Sequence, residues 1–273
     1  MKHLLLSELY RLKKNKGIFI LLIVAIILSI LEPIVLKKGL EALSSLVGLG
    51  GTIDIYGIDQ FCTALAGSSL VSIILFFIIT SYSNDDFKYG TVRNKIISGY
   101  NRKQIYLSKL IVNVSASVTV QLIYSLSVLL FSSLVLGFNR SSSFELSDFT
   151  NILSLILSSV LIQVTTYSLL TLINVTTQKN AKTIIWFLAA NMIISFALSI
   201  IMIILSEFDL QSWITLIQDM DPNNQLTYIS NNYLETDLFI LIIVSNIIYI
   251  VIINLIGYNN FKKKELKWHT PTT

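Results

Sequence analysis

Six long stretches of this chain are almost uninterrupted in their apolar character, and none of them alternates. They cover residues 17–36, 61–82, 110–138, 152–175, 184–205 and 238–257. A spanning helix needs about 20 mostly apolar residues, so each run is long enough to cross a bilayer. Lipid offers the backbone no hydrogen-bond partner, which makes continuous runs of this kind helices; a barrel would need alternating strands. The pattern predicts an all-α, polytopic membrane protein with six transmembrane helices. No repeat and no linker divides it, so residues 1–273 read as one membrane domain.

The polar stretches between the runs are short, and one of them is patterned. Residues 85–109 carry six basic side chains, Lys88, Arg93, Lys95, Arg102, Lys103 and Lys109, yet read as a folded elbow over 85–104. Thr91 is placed to N-cap a short helix over 92–98, and Gly99 stands where helices commonly end in the left-handed conformation. Asn101 with Gln104 forms a reciprocal cap for a new helix. That start brings the third span to 105–138. Its uncharged part alone holds 29 residues, roughly 43 Å of helix against an apolar core of about 30 Å. The third span therefore continues from the elbow into the bilayer as a stiff lever. Residues 1–16 suit an interfacial helix, with Leu5, Leu9 and Leu12 on one face and Glu8, Arg11, Lys13 and Lys14 leaving a polar face. An ordinary charged N-terminus explains them equally well. The 206–236 loop sets an apolar patch, 213–217, in an acidic surround, which predicts one or two short re-entrant helices at the membrane surface.

Charge sets the orientation. Segments 1–16, 83–109, 176–183 and 258–273 hold five, six, two and four Lys/Arg, or 17 of the 20. Lys/Arg excess marks the cytoplasmic side, so both termini are expected in the cytoplasm and the protein in the cell membrane. The net charge of +4 follows from this topology. It gives no reason to expect nucleic acid, which would need basic residues sharing a face with base-stacking aromatics. The first span is too long for a signal-peptide core of about 7–15 residues and lacks a small-residue cleavage pattern, so it reads as an uncleaved helix closed by 32–33 and 37–38. Cys62 is the single cysteine, which excludes an intrachain disulfide and reads as a small apolar interface residue.

Catalytic patterns are missing from the sequence. There is no phosphate-binding Gly-x-x-x-x-Gly-Lys-Ser/Thr, no His-Glu-x-x-His and no Gly-x-Ser-x-Gly, and His3 and His269 sit at opposite ends. No catalytic residue, no metal site and no cofactor of its own are expected on this chain. Glu32 is the one ionisable residue inside a span, which argues poorly for proton or sodium coupling through buried carboxylates. Uncharged polar groups do occur there: Gln121, Gln163, Asn174, Asn191, Asn246 and Asn254. They serve either helix packing or a substrate path, and Gln121, Gln163 and Asn191 are the path candidates.

The string Asp86-Phe-Lys-Tyr-Gly90-Thr91, then Lys95-Ile-Ile-Ser-Gly99-Tyr-Asn-Arg102, then Lys109 at the mouth of the third span resembles the second-to-third span loop of type-2 export permeases of ABC transporters. The order of elements is similar too: an N-terminal interfacial helix, six spans, and a re-entrant element between the fifth and sixth. The resemblance implies that the elbow is a coupling helix docking on a separate ATPase dimer, which would hold the ATP and magnesium. Asp86, Gly90, Thr91, Val92, Arg93, Ile96, Ile97, Gly99, Arg102 and Lys103 would form that coupling site. The turn at Lys179 and Lys182 would be a second contact. Val92, Ile96 and Ile97 would supply its apolar face, with Arg93 and Lys95 at the rim. A second permease, identical or homologous, would complete the path through the lipid bilayer. The cargo expected is a hydrophobic or amphipathic substrate such as a bacteriocin, in the manner of lantibiotic immunity or peptide-export permeases. A drug or lipid-linked substrate is the alternative, as is a non-transporting immunity or sensor protein.

Overall fold

The computed structural model describes residues 1–47, 55–67, 70–138, 146–231 and 234–263. Eleven helices and no strand occur among them. These are α1 (Lys2–Lys13), α2 (Lys16–Val47), α3 (Gly57–Leu65), α4 (Leu70–Lys88), α5 (Thr91–Ile97) and α6 (Arg102–Leu136). They continue as α7 (Leu146–Thr177), α8 (Asn180–Glu207), α9 (Gln211–Met220), α10 (Pro222–Ser230) and α11 (Thr236–Lys263). Six segments are long and apolar enough to cross a membrane: α2, the α3–α4 pair, α6, α7, α8 and α11. The chain is an all-α, multi-pass membrane protein, as its hydropathy predicts.

The longest helix, α6, is the axis. It packs against α2, α3, α4 and α7, and α7 in turn packs along α11. Three apolar clusters follow one another along this axis. At the elbow end Leu4, Val92, Ile105, Tyr106, Val175 and Phe261 pack together. Leu21, Leu75, Ile79, Val120 and Tyr124 fill the middle. Ile58, Phe61, Leu65, Leu155, Ile229 and Ile242 fill the far end. Polar side chains stitch the helices where hydrophobic burial alone cannot favour one packing over another in lipid. Asn113 donates to Thr171 at 3.0 Å, Asn84 to Asn174 at 2.9 Å, and Tyr106 to Asn254 at 3.0 Å. Thr165 donates to Asn246 at 2.7 Å. Asn174, Asn246 and Asn254 are therefore packing residues.

The re-entrant region is two helices, α9 and α10. Gln225 of α10 is fully buried and bonds Ser245 at 3.0 Å and Asn246 at 2.8 Å, about ten residues inside α11. Asp221 caps α10 by accepting from the Asn223 amide at 3.0 Å, ahead of a proline in the first turn.

Two span boundaries differ from expectation. The first span does not close at 32–33 and 37–38. Helix α2 continues through Pro33 to Val47, because a helix that loses one backbone bond at proline still propagates on both sides of it. The second span is not one helix. It breaks after Leu65, where Gly67 takes a left-handed φ of 73°, and restarts at Leu70. A break at membrane depth survives only where neighbours satisfy the freed carbonyls. Gln121 of α6 donates to the Ala64 carbonyl, and Ser159 of α7 donates to the Leu65 carbonyl at 2.8 Å. Below the break Gly57 lies so close to Ser133 that a Cβ there would stand 2.8 Å from the Ser133 nitrogen, which is why α3 can press flat against α6.

Candidate functional site

The elbow is built around one carboxylate. Asp86, in the last turn of α4, is fully buried. Its Oδ2 receives Lys109 of α6 at 2.6 Å and Lys95 of α5 at 3.1 Å. Its Oδ1 receives Arg11 of α1 and, at 2.8 Å, the Thr91 hydroxyl. A second carboxylate extends the cluster. Glu8 of α1, only 2% exposed, pairs with Lys95, with Arg11 at 3.0 Å, and accepts from the Tyr82 hydroxyl at 3.1 Å. Arg11 also lies 4.5 Å above the Tyr82 ring, a cation–π contact that strengthens when desolvated. Three cations (Arg11, Lys95, Lys109) against two carboxylates (Glu8, Asp86) leave one net positive charge. Burial works against the Arg11 charge, but the hydrogen bond and field of Asp86 outweigh it and raise the guanidinium pKa above its ordinary value. The cluster ties α1, α4, α5 and α6 into one rigid unit.

Local geometry follows from the turn. Gly90, at φ 68°, is the N-cap of α5, one residue earlier than the Thr91 expected. The left-handed conformation is open to glycine without steric cost, and it frees Thr91 to bond backwards to the Asp86 carbonyl at 3.0 Å as well as to its carboxylate. Gly99, at φ 87°, ends α5 as predicted. Asn101 caps α6, with Gln104 Oε1 accepting from its amide at 3.2 Å. Arg102 reaches the end of α11, donating to the carbonyls of Phe261 at 2.9 Å and Lys262 at 3.2 Å, a cation on a helix C-terminus.

The faces of α5 are not those expected. Val92 is 2% exposed and belongs to the elbow-end cluster, and Ile96 is packed against it. Lys95 turns inward to the carboxylates and leaves the rim. The polar face of α1 behaves the same way: Glu8 and Arg11 face the elbow, while Leu6, Leu9 and Tyr10 are exposed. In both cases burial beside an opposite charge supplies the partners that solvent would otherwise give. The outward side of α5 presents Arg93, Asn94, Ile97 and Ser98, with Ile97 70% exposed and Tyr89 68% exposed beside it. Lys103, Lys179 and Lys182 are exposed. Thr183, four residues past Lys179, accepts from Asn84 at 3.2 Å, which places the α7–α8 turn on the elbow side.

A cavity of about 500 Å³ lies at the break in the second span, between α4, α6, α7 and α8. Gln121 and Gln163 both line it. Asn191 does not; its amide donates to the Phe187 carbonyl of its own helix at 2.8 Å. Among the described residues no three His, Cys, Asp or Glu side chains converge as metal ligands do.

The sequence places Glu8 and Arg11 only on the polar face of an interfacial helix and gives no role to Tyr82 or Ser159. The one available signal was Glu8, a lone acid in an N-terminal segment holding five basic residues. No family model matches this chain, and no curated protein does.

Proposed function

We propose that this chain is the membrane-spanning subunit of an ATP-driven exporter, working with a separate ATPase dimer and a second permease. The elbow end is then cytoplasmic. The observation that supports the reading most is the division of α5. Its inner side is anchored through Asp86 and Glu8 to α1, α4 and α6, and its outer side carries Arg93 and Ile97 at the surface, with Tyr89 exposed just ahead of the helix. A force applied to that outer side reaches α6, which runs 35 residues to the far end. ATP and magnesium belong to the partner, and this chain contributes the path.

The cargo is a hydrophobic or amphipathic molecule. A second reading, a drug-sized or lipid-linked cargo rather than a whole peptide, is favoured by the cavity. Its volume of about 500 Å³ falls within the range of roughly 300–1,000 Å³ usual for small-molecule sites. Reconstitution of the chain with its ATPase in liposomes tests the proposal. ATP-driven extrusion of a fluorescent lipophile is expected, lost when the ATPase carries a hydrolysis-blocking substitution. Extrusion that continues with that ATPase would count against the reading.

A further inference from the structure

We propose that Glu32, held by Tyr124, is a site within the membrane for the ammonium head of a cationic amphiphile that enters sideways from the lipid. Glu32 lies inside the α2 span, five residues short of Lys37, or roughly 7 Å deeper along the helix. A carboxylate at membrane depth is costly, and such residues stand where they have a partner or a task. Tyr124 of α6, only 1% exposed, donates its hydroxyl to Glu32 Oε2 at 2.6 Å. A bond of that kind is strong when the acceptor is charged, and it fixes the carboxylate. The other oxygen, Oε1, has no partner among the described residues and keeps accessible surface, since the side chain is only half-buried. No described Lys or Arg pairs with Glu32. Lys37 turns the other way and donates to the Val135 carbonyl, near the end of α6, at 3.4 Å.

Position and charge together set the ligand class. Hydrocarbon can bring a counter-charge to Glu32 only on a molecule whose chain stays dissolved in the bilayer, which makes the ligand an amphiphile. The free oxygen is an acceptor, so a primary ammonium, with three N–H donors, suits it better than a quaternary head without any. An anionic head would be repelled. The flank of α2 beside Glu32 suits an alkyl chain: Leu28 is half-buried one turn towards the elbow, and Ile27, Leu31 and Val35 are exposed on the outside of the bundle. Neither Glu32 nor Tyr124 lines the cavity at the broken span, so the two are separate. The inference concerns binding by this chain alone and does not depend on the transport reading.

The test uses the purified full chain in phosphatidylcholine nanodiscs, without any ATPase, so failure of the transport reading leaves it intact. The probes are a dodecylammonium with a diazirine in mid-chain and the dodecanol of the same design. After illumination, labelled residues are mapped by mass spectrometry, with the exposed side of α11 at Ile247, Ile248, Val251 and Ile252 as the reference for bulk lipid. Relative to that reference, the ammonium is expected to label residues 24–28 of the wild type about tenfold more than the alcohol does. In Glu32→Gln, which keeps the shape and an acceptor for Tyr124, the two probes become equal and the alcohol labels as before. An ammonium probe that labels residues 24–28 of the wild type no more than the alcohol does would overturn the proposal, and Glu32 would then be a protonated partner of Tyr124. That comparison needs no variant. A preference for the ammonium that persists in Glu32→Gln, or a fall in labelling there that both probes share, would also overturn it.

Discussion

Asp86→Asn is expected to destabilise the chain by about 3–5 kcal/mol, the usual cost of removing one partner from a buried ion pair. Lys109 is 3% exposed and loses the one carboxylate paired with it among the described residues, keeping the Ser83 carbonyl at 2.9 Å and the Phe87 ring 4.7 Å away. Lys95 and Arg11 then share Glu8 alone. The net charge of the cluster rises from +1 to +2. Adding Lys109→Met returns it to +1 and replaces the stranded ammonium with a side chain of similar length. The double variant is expected to recover most of the loss, as apolar replacements of buried pairs often do. Thermal unfolding in detergent, followed by size-exclusion profile, measures both. An Asp86→Asn protein that melts with the wild type would show that the cluster does not hold the elbow. A double variant no better than the single would show that Lys109 is not the stranded charge.

Ile97→Asp is expected to release the ATPase while leaving the chain folded. Ile97 makes the outward apolar surface of α5, and an anchor at the centre of an interface commonly costs 2 kcal/mol or more when lost, about 30-fold in affinity. Placing a charge there also buries a carboxylate against the partner. Arg93→Ala is expected to be milder, since rim charges act more on encounter rate than on residence. Val92→Asp is not an equivalent test, because Val92 is inside the fold and its loss would unfold the elbow. Equilibrium binding of the purified ATPase to the variant in nanodiscs gives the affinities. Unchanged binding by an Ile97→Asp protein of normal melting temperature would move the docking surface to the turn at Lys179 and Lys182.

The spans were legible because lipid imposes one rule, continuous apolarity over about 20 residues, and the chain obeys it six times. Caps were legible for the same reason of locality: Asn101 and Gln104 are three residues apart, and Gly99 sits at the end of its own helix. What failed was long-range. Lys95 looks like a surface lysine until Glu8, 87 residues earlier, is folded against it. The break at Gly67 hides inside an apolar run, because the groups that satisfy it, Gln121 and Ser159, lie 57 and 94 residues away from the carbonyls they bind. Gln121 and Gln163 were singled out by being polar in lipid; that they share one cavity is tertiary information. Asn191 met the same criterion and bonds its own helix instead.

The central claim, that α5 faces a separate ATPase, is tested most directly by cross-linking in living cells. With Cys62 replaced by alanine, Ser98→Cys places one thiol on the exposed end of α5, and Leu210→Cys places one at the far end of the bundle. A membrane-permeant thiol-to-amine cross-linker is expected to join the Ser98→Cys chain to a polypeptide carrying a phosphate-binding loop, identified by mass spectrometry, and to leave the Leu210→Cys chain without that adduct. An adduct with the same polypeptide from both positions, or none from Ser98→Cys in a protein that is normally inserted, would contradict the account.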